Sequence, residues 1–311
     1  MRILLSGSIA YDRIMDFHGR FKEHIIPEKI HILNVSFYLQ QLKQSFGGTA
    51  GNIAYNLALL KEEPILVATH GNDFGDYEVW CRKNKIITQY SKDIKKYPTA
   101  SVYIMTDLDD NQISGFYPGA MFQSNGPLTK SLLTKSGLAI VSPGNLEDMK
   151  KYPNSLRRAK VPYIYDPGQQ ITTLSKHDLM NGIKGSKVLI SNDYEFELIK
   201  KKTRLSEKKI ISLTETLITT LGSKGSVIKT ATKVYKIPIA QPSKVIDPTG
   251  AGDAYRAGII KGLIYNLPLE KIGKLAATIS VYAVEHYGTQ AHKFTWLDIK
   301  KRYKKNFKDT L

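Results

Sequence analysis

Short apolar runs alternate with longer amphipathic stretches along most of the chain. Continuous apolar runs of this kind are typical of parallel strands that are buried on both faces. They lie at 3–7, 64–68, 138–141, 163–165, 188–190, 217–221 and 227–229. The stretches between and after them have the pattern of helices, for example at 51–60, 146–159, 250–265 and 269–286. This alternation predicts an α/β fold with a mostly parallel central sheet and helices on both faces.

Two segments, at about 13–46 and 99–117, break the alternation. In the second segment, an alternating run is followed by a cluster of turn residues at 107–111 and by a returning run. A run, a polar turn and a return are typical of a β-ribbon. We expect a small β-sheet lid that covers the site, with irregular loops as the alternative. No linker or internal repeat marks a second domain, so residues 1–311 are expected to form one domain that carries this lid.

The composition indicates an ordinary globular protein, with 42% hydrophobic and 23% charged residues. The only cysteine, Cys81, has no partner for an intramolecular disulfide, as is usual in a reducing compartment. No apolar run approaches the roughly 18 residues of a membrane span. The first residues, 1–12, resemble a buried strand rather than a signal peptide. We therefore expect a cytoplasmic protein with no membrane partner.

The formal net charge of +17 permits two interpretations. One is a polyanionic partner such as nucleic acid. The other is a solvated, lysine-rich surface, since lysines occur in most segments of the chain. No RNP, zinc-knuckle or helix-turn-helix pattern accompanies them, which makes nucleic acid the less favoured partner.

The strongest chemical signal is the sequence Asp-Pro-Thr-Gly-Ala-Gly-Asp at 247–253, where a long apolar helical stretch begins. A helix start presents free backbone N–H groups and the positive end of the helix dipole, so it attracts phosphate. Small residues at Gly250, Ala251 and Gly252 let this backbone approach a phosphoryl group. The carboxylate of Asp253 is then within reach of an attacking group. The alternative is an ordinary N-terminal helix cap.

With these residues, the chain resembles the ribokinase/PfkB family of carbohydrate and nucleoside kinases. Three further motifs stand in the family's order: Gly-Gly-Thr-Ala-Gly-Asn at 47–52, Asn-Asp-Tyr-Glu at 192–195 and Thr-Leu-Gly-Ser-Lys-Gly at 220–225. The resemblance implies a ribokinase-like fold and ATP as phosphoryl donor. It also implies that Asp253 is the base for a substrate hydroxyl, with Gly250, Ala251 and Gly252 as the anion hole. No Walker A or protein-kinase motif is present.

The resemblance assigns further contacts to the substrate. A carboxylate and an amide suit vicinal hydroxyls, because together they offer acceptors and donors. The implied residues are Asp12, Gly47, Gly48 and Asn52.

The resemblance also assigns contacts to the nucleotide and its ions. The nucleotide is expected over Thr220, Gly222 and Gly225, and Mg²⁺ would be bound through water by Glu195 with Asn192. Residues 192–195 also fit a helix capping box, and the capping role and the Mg²⁺ role are compatible with each other. Asp247 and Thr249 resemble the family's potassium-binding loop, so K⁺ joins ATP and Mg²⁺ as an expected cofactor.

The choice of substrate rests on smaller signals. After Asp253 the chain continues Ala-Tyr-Arg-Ala-Gly, closer to the adenosine and nucleoside kinase branch than to the sugar kinases. The lid segment 110–121 also resembles that branch, and its Gln112 and Phe116 are candidate substrate contacts. An aromatic ring stacks well on a purine, and ordinary packing within the lid is the alternative for its aromatic residues. We expect phosphorylation of the 5′-hydroxyl of a ribonucleoside, with adenosine first.

Two alternatives to the nucleoside kinase stay open. One is a kinase for a free sugar of the ribose or fructose type. The other is a non-catalytic, nucleic-acid-binding protein on the same fold. In each case, exposed edges of the lid sheet would favour a homodimer formed through the lid.

Overall fold

The computed structural model describes residues 1–109 and 111–311, so Asp110 in the expected lid turn lies outside the described residues. The strands are β1 (Arg2–Ser6), β2 (Ala10–Asp16), β3 (Gln41–Gly47), β4 (Glu63–Val67), β5 (Thr69–His70), β6 (Lys92–Asp93), β7 (Ala100–Thr106), β8 (Gln112–Tyr117), β9 (Leu138–Val141), β10 (Tyr163–Tyr165), β11 (Val188–Asn192), β12 (Thr216–Thr220), β13 (Ser226–Lys229) and β14 (Val234–Ile237). The α-helices are α1 (Thr49–Leu59), α2 (Gly75–Lys83), α3 (Lys130–Lys135), α4 (Leu146–Arg158), α5 (Lys176–Ile183), α6 (Asp193–Thr203), α7 (Glu207–Ile211), α8 (Ala251–Ile264), α9 (Leu269–Val284) and α10 (Trp296–Phe307).

The central sheet has the strand order β14-β13-β12-β11-β10-β9-β1-β4. It is parallel from β4 to β12, and β13 and β14 join it antiparallel at one edge. The α/β prediction with a mostly parallel sheet is therefore confirmed.

Helices cover both faces of this sheet, which explains the continuous apolar runs of the sequence. Successive strand residues point to opposite faces, so Leu5 contributes to one hydrophobic core and Leu4 to the other. The first core packs against α1, α2, α8, α9 and α10. The second packs against α3 to α7. Of the described helices, none is both long enough and apolar enough to cross a membrane.

A separate sheet of order β3-β2-β7-β8 forms the lid. Its first strand begins at Ala10 rather than near residue 13, because Gly7 to Ile9 lead directly from β1 into β2 without a helix. Asp12 therefore lies in a lid strand, paired with β3 and β7. Two 3-10 turns, Phe21–Glu23 and Pro27–Ile32, occupy the middle of the segment 13–46 instead of further strand.

Candidate active site

The start of α8 is built for an anion. Gly250 precedes the helix with φ +79°, a conformation that glycine adopts without steric cost. The first helical hydrogen bond runs from Ala254 N–H to Gly250 C=O at 2.9 Å. In the described part of the chain, the N–H groups of Gly252 and Asp253 meet no protein acceptor. These free donors, together with the helix dipole, give the site a local positive potential.

Asp253 occupies the first turn of α8 and is held by Asn52. The Asn52 amide Nδ2 donates to Asp253 Oδ2 at 2.9 Å. Burial raises the pKa of Asp253 to about 7, although Arg256 and the hydrogen bond from Asn52 both act to lower it. The nearby carboxylates of Asp166 and Asp12 also contribute to this raised pKa. A carboxylate with a pKa near neutrality is well suited to general-base chemistry.

Arg256 and Asp166 complete this site, and the sequence analysis did not identify either. Arg256 is one helical turn beyond Asp253, so both side chains lie on the same face of α8. Its guanidinium pairs with the fully buried Asp166 through two parallel hydrogen bonds, including Nη2 to Oδ1 at 3.0 Å. Asp166 directly follows β10, at the end of the apolar run 163–165. A carboxylate at the carboxyl end of a parallel strand was the signal that would have found it.

These residues line a cavity of about 240 Å³ at the carboxyl ends of the central strands. Glu195 lines the same cavity, and burial raises the pKa of its carboxyl group. Asn192 and Glu195 form the predicted capping box: Asn192 Oδ1 accepts from Glu195 N–H at 2.7 Å, and Asn192 N–H donates to Glu195 Oε2 at 2.8 Å. Asn192 therefore caps the start of α6, whereas Glu195 both takes part in the cap and faces the cavity.

The side chains fit Mg²⁺ held mainly by phosphate oxygens. Within residues 1–109 and 111–311, no group of three or more potential ligands is arranged for a metal. One or two carboxylates that act with phosphate oxygens and water are the usual arrangement for Mg²⁺ at a nucleotide. Glu195 is suitably placed for this role.

A second cavity, of about 420 Å³, lies on the other side of the start of α8. Its walls include Thr220, Gly222 and Gly225 from the turn between β12 and β13, together with apolar residues of α9. Gly225 has φ +88°, and a Cβ there would lie 2.1 Å from Ile237 C=O, so the turn requires glycine. Gly252 borders both cavities. A ligand whose flat apolar part occupies this cavity would therefore extend its polar part to the free N–H groups at the start of α8.

The predicted substrate residues Asp12, Gly47 and Gly48 lie together. A Cβ at Gly47 would be 2.5 Å from Asp12 Oδ2, and Gly48, with φ +85°, packs on the backbone of Ser8 to Ala10. Burial and, to a smaller extent, the nearby Asp247 raise the pKa of Asp12 to about 6. This cluster forms the junction between the lid and α1.

Asn52 is more enclosed than a simple substrate contact would be. Only 4% of the residue is exposed. Besides its bond to Asp253, its Oδ1 accepts from Gln290 Nε2 at 3.0 Å. Gln290 also donates to Tyr77 Oη at 2.8 Å. The sequence analysis identified neither Gln290 nor Tyr77, because neither belongs to a recognisable motif.

The two predicted lid residues are placed differently. Asp12 pairs with Val102, and Val102 pairs with Phe116, so Asp12 and Phe116 share one face of the lid. Phe116 is 53% exposed on that face. Gln112 lies four residues away from Phe116, and its side chain donates to Thr106 Oγ1 at 3.4 Å. Phe116 therefore lies in the same cross-strand row of the lid as Asp12 and Val102, whereas Gln112 does not.

Asp247 joins the two loops of the expected cation site. Its Oδ1 accepts from Thr249 N–H at 2.9 Å, and its Oδ2 accepts from Gly288 N–H at 3.1 Å. Thr249, Asp247 and the region of Gly288 are thus brought together beside the start of α8.

Comparisons with known proteins agree with this geometry. The pattern of the pfkB family carbohydrate kinases matches residues 10–296. A nucleoside kinase of Methanocaldococcus jannaschii is 32% identical over 286 residues, covering 90% of this chain and 92% of the relative. A nucleoside kinase of Burkholderia thailandensis in complex with inosine has a TM-score of 0.85 at 34% identity, with 99% of each chain covered. Its complex with ADP-inosine also gives a TM-score of 0.85, at 36% identity, with 99% of this chain and 97% of that chain covered. The chain is therefore an ATP-dependent kinase that belongs to the pfkB family of carbohydrate kinases.

Proposed function

We propose that this kinase transfers the γ-phosphoryl group of ATP to the 5′-hydroxyl of a ribonucleoside, with adenosine as the first candidate. The observation that carries the proposal is the position of Gly252 between two cavities, with Asp253 facing the polar one. One cavity is apolar and suits the base of a nucleotide, and the other is polar and suits the reacting groups. The nucleoside kinases among the similar proteins support a nucleoside as acceptor.

The chemistry follows from the residues at α8. The acceptor oxygen attacks the γ-phosphorus in line and its proton passes to the Asp253 carboxylate, while the bond to the leaving ADP oxygen breaks. The N–H groups of Gly252 and Asp253, with the small residues Gly250 and Ala251 beside them, stabilise charge on the equatorial oxygens. Most of the rate acceleration arises from this positioning and charge stabilisation.

Arg256 contributes to the same step. Its Nε and Nη2 are engaged by Asp166, and its Nη1 lies beside Gly252, where an added Cβ would be 2.7 Å away. A clamped guanidinium at this position adds positive charge next to the phosphoryl group. It also keeps the pKa of Asp253 from rising higher.

Two ions complete the proposal. Glu195, with Asn192 supporting it, would hold Mg²⁺ through water, and the ion would supply neutralisation of the phosphate charge of ATP. A potassium ion would lie against the loop of Asp247 and Thr249. Replacing K⁺ by tetramethylammonium is expected to lower turnover, and unchanged turnover would remove K⁺ from the proposal.

The acceptor would be held between Asp12 and the start of α1. The Asp12 carboxylate accepts from the two ribose hydroxyls, Gly47 and Gly48 let the sugar approach the backbone, and Asn52 lies beneath it. Phe116 would stack on the base from the lid. Gln112 is a weaker candidate, because it lies far along the lid from Asp12.

An acceptor screen with MgATP tests the function. We expect ADP release with adenosine or inosine, weaker turnover of 2′-deoxyadenosine, and little with ribose or fructose 6-phosphate. The Asp12→Ala variant should raise KM for the nucleoside far more than KM for ATP, since Asp12 faces the sugar. Brisk turnover of a free sugar with none of any nucleoside would contradict the proposal and favour the sugar kinase.

We further propose a homodimer that forms through the lid. Leu42, Met15, Met105 and Ile113 pair side by side across the four lid strands, on the face opposite Asp12. Leu42 and Ile113 are 67% and 46% exposed, so this apolar row is open to a partner. A second copy of the chain offers a complementary row by symmetry. A cytoplasmic location is likewise proposed, supported by the single, buried Cys81.

A further inference from the structure

Three hydrogen bonds run in series from α2 to the catalytic carboxylate. Trp80 Nε1 donates to Gln290 Oε1 at 2.8 Å. Gln290 Nε2 donates to Asn52 Oδ1 at 3.0 Å, and Asn52 Nδ2 donates to Asp253 Oδ2 at 2.9 Å. Gln290 is 6% exposed and Asn52 is 4% exposed, so water has little access to these bonds.

The chemistry of the two ends fixes the direction of the series. The indole N–H of Trp80 is only a donor, and an ionised carboxylate is only an acceptor. Gln290 must therefore turn its carbonyl oxygen towards Trp80 and its amino group towards Asn52. Asn52 in turn must offer its oxygen to Gln290 and its amino group to Asp253. Rotating either amide by half a turn would set donor against donor and acceptor against acceptor.

Tyr77 supports the series but constrains its direction less strictly than Trp80. It accepts from Gln290 Nε2 at 2.8 Å and donates its only proton to Gly47 C=O at 2.8 Å. A reversed Gln290 amide would require Tyr77 to give up its bond to Gly47 and donate to Gln290 instead, which a hydroxyl can do. The indole N–H of Trp80 can only donate, so Trp80 is the partner that excludes the reversed orientation.

We propose that Gln290 and Trp80 are positioning residues, which orient the Asn52 amide so that it always donates a hydrogen bond to Asp253. This inference rests on the proposed function, in which Asp253 is the base. The charged groups that face Asp253 are Arg256 on α8, Asp166 after β10 and Asp12 in β2, and none of them belongs to the series.

The consequence is a pH dependence of turnover. The bond from Asn52 lowers the pKa of Asp253 and so increases the fraction of the base that is ionised near neutrality. If Asn52 is free to rotate, part of this effect is lost and the pKa rises. The acidic limb of kcat/KM would then move to higher pH, by about one unit for the loss of a full hydrogen bond to a charged group.

Two variants test the proposal on the full-length protein with MgATP and adenosine. Gln290→Leu replaces the side chain by an apolar one of similar size and removes its three hydrogen bonds, to Trp80, Asn52 and Tyr77. We expect its acidic limb to rise by about one pH unit, with turnover about 10-fold lower on that limb and approaching wild type at high pH. Trp80→Phe keeps a ring stacked between Tyr55 and Phe46 and removes only the donor. It should give a smaller shift in the same direction.

Tyr77→Phe is the matched control, because it removes a partner of Gln290 but leaves Trp80 to set the direction. Its acidic limb should stay at the wild-type pH. Limbs that stay in place in the other two variants, or a loss of turnover that is equal at every pH, would overturn the positioning role. If Gln290→Leu does not fold, Trp80→Phe alone decides. Failure of the wild-type enzyme to phosphorylate any nucleoside, or full turnover by Asp253→Asn, would instead overturn the proposed function.

Discussion

At the scale of single residues, the site depends on a carboxylate kept in an environment that resists its ionisation. Asp253 is partly buried near Asp166 and Asp12, and its pKa is held near 7 only because Arg256 and Asn52 oppose these effects. The same environment that would make Asp253 a better base makes its charge costly for folding. Activity and stability should therefore respond in opposite directions when this residue is changed.

The first prediction concerns turnover by Asp253→Asn. Asparagine keeps the shape of the side chain, and its oxygen still accepts from Asn52, but it takes up no proton from the acceptor hydroxyl. We expect kcat to fall by about 100-fold or more, with binding of ADP nearly unchanged. Steady-state kinetics and calorimetric titration with ADP measure the two effects. Turnover within a few-fold of wild type would exclude Asp253 as the base.

The second prediction concerns the stability of the same variant. The folded-state pKa of Asp253 is about 7, against an ordinary value of 3.8, so the wild-type protein loses stability as pH rises between these values. Asparagine carries no such charge. Asp253→Asn should be more stable than wild type by about 1 to 3 kcal/mol at pH 8, and by less at pH 5. Urea unfolding at both pH values tests this, and an equal difference at both would contradict the buried charge.

At the scale of elements, α8 uses its glycines for two different purposes. Gly252 lies at the start of the helix, where it borders both cavities. Gly258 lies where α8 meets α9, and a Cβ there would be 2.5 Å from Ala276 Cα. The first glycine leaves room for a ligand, and the second leaves room for a helix.

The third prediction separates these purposes. Gly252→Ala places a methyl group 2.7 Å from Arg256 Nη1 and beside the free N–H groups, so it should lower kcat by 10-fold or more, on the order of one lost donor to the phosphoryl group. Its melting temperature should change little. Gly258→Ala is the matched control and should lower the melting temperature clearly, because two helices must separate. The reverse pattern would remove Gly252 from the anion site.

The fourth prediction concerns the lid strand β8, in which two adjacent aromatic residues point to opposite faces. Phe116 shares the face of Asp12, whereas Tyr117 belongs to the other face and is 41% exposed. Phe116→Ala should weaken adenosine by about 1 kcal/mol or more, through loss of stacking. Tyr117→Ala should leave adenosine affinity near wild type. Titration calorimetry decides, and equal losses in both variants would argue against stacking by Phe116.

At the scale of the whole molecule, the lid is a four-stranded sheet whose two faces carry different kinds of residue. One face carries Asp12 and Phe116, and the other carries the apolar row of Leu42, Met15, Met105 and Ile113. The chain is a kinase, which sets aside the non-catalytic alternative.

The fifth prediction tests the apolar row as a dimer interface. The double variant Leu42→Lys, Ile113→Lys places like charges in the centre of the proposed interface. Sedimentation velocity should show a dimer for wild type and a monomer for the variant, with an unchanged circular dichroism spectrum. At about 50 μM, an interface of standard size with a Kd of about 1 μM or below is largely assembled. A wild-type protein that is monomeric at this concentration would therefore exclude the lid dimer.

Much of this protein followed from the sequence by itself. Alternating apolar runs determined the α/β sheet, because a strand buried on both faces needs apolar residues at every position. The start of α8 was also readable, since Gly250, Gly252 and Asp253 are neighbours in the chain and their local backbone sets their geometry. The turn at 220–225 and the capping box of Asn192 and Glu195 were local for the same reason, whereas the edge strand β14 and the helix α10 were not predicted.

Only the tertiary structure decided which distant residues meet. Asn52 and Asp253 are 201 residues apart, and Gln290 is 238 residues from Asn52. Arg256 meets Asp166 across 90 residues. The hydrophobic periodicity of the sequence does not reveal such contacts. They arise when whole helices pack on the sheet and bring one side chain of each to a common edge. The position of Asp12 was decided in a similar way: Gly7 to Ile9 lead the chain from β1 into the lid, and only the pairing of β2 with β3 and β7 fixes where Asp12 lies.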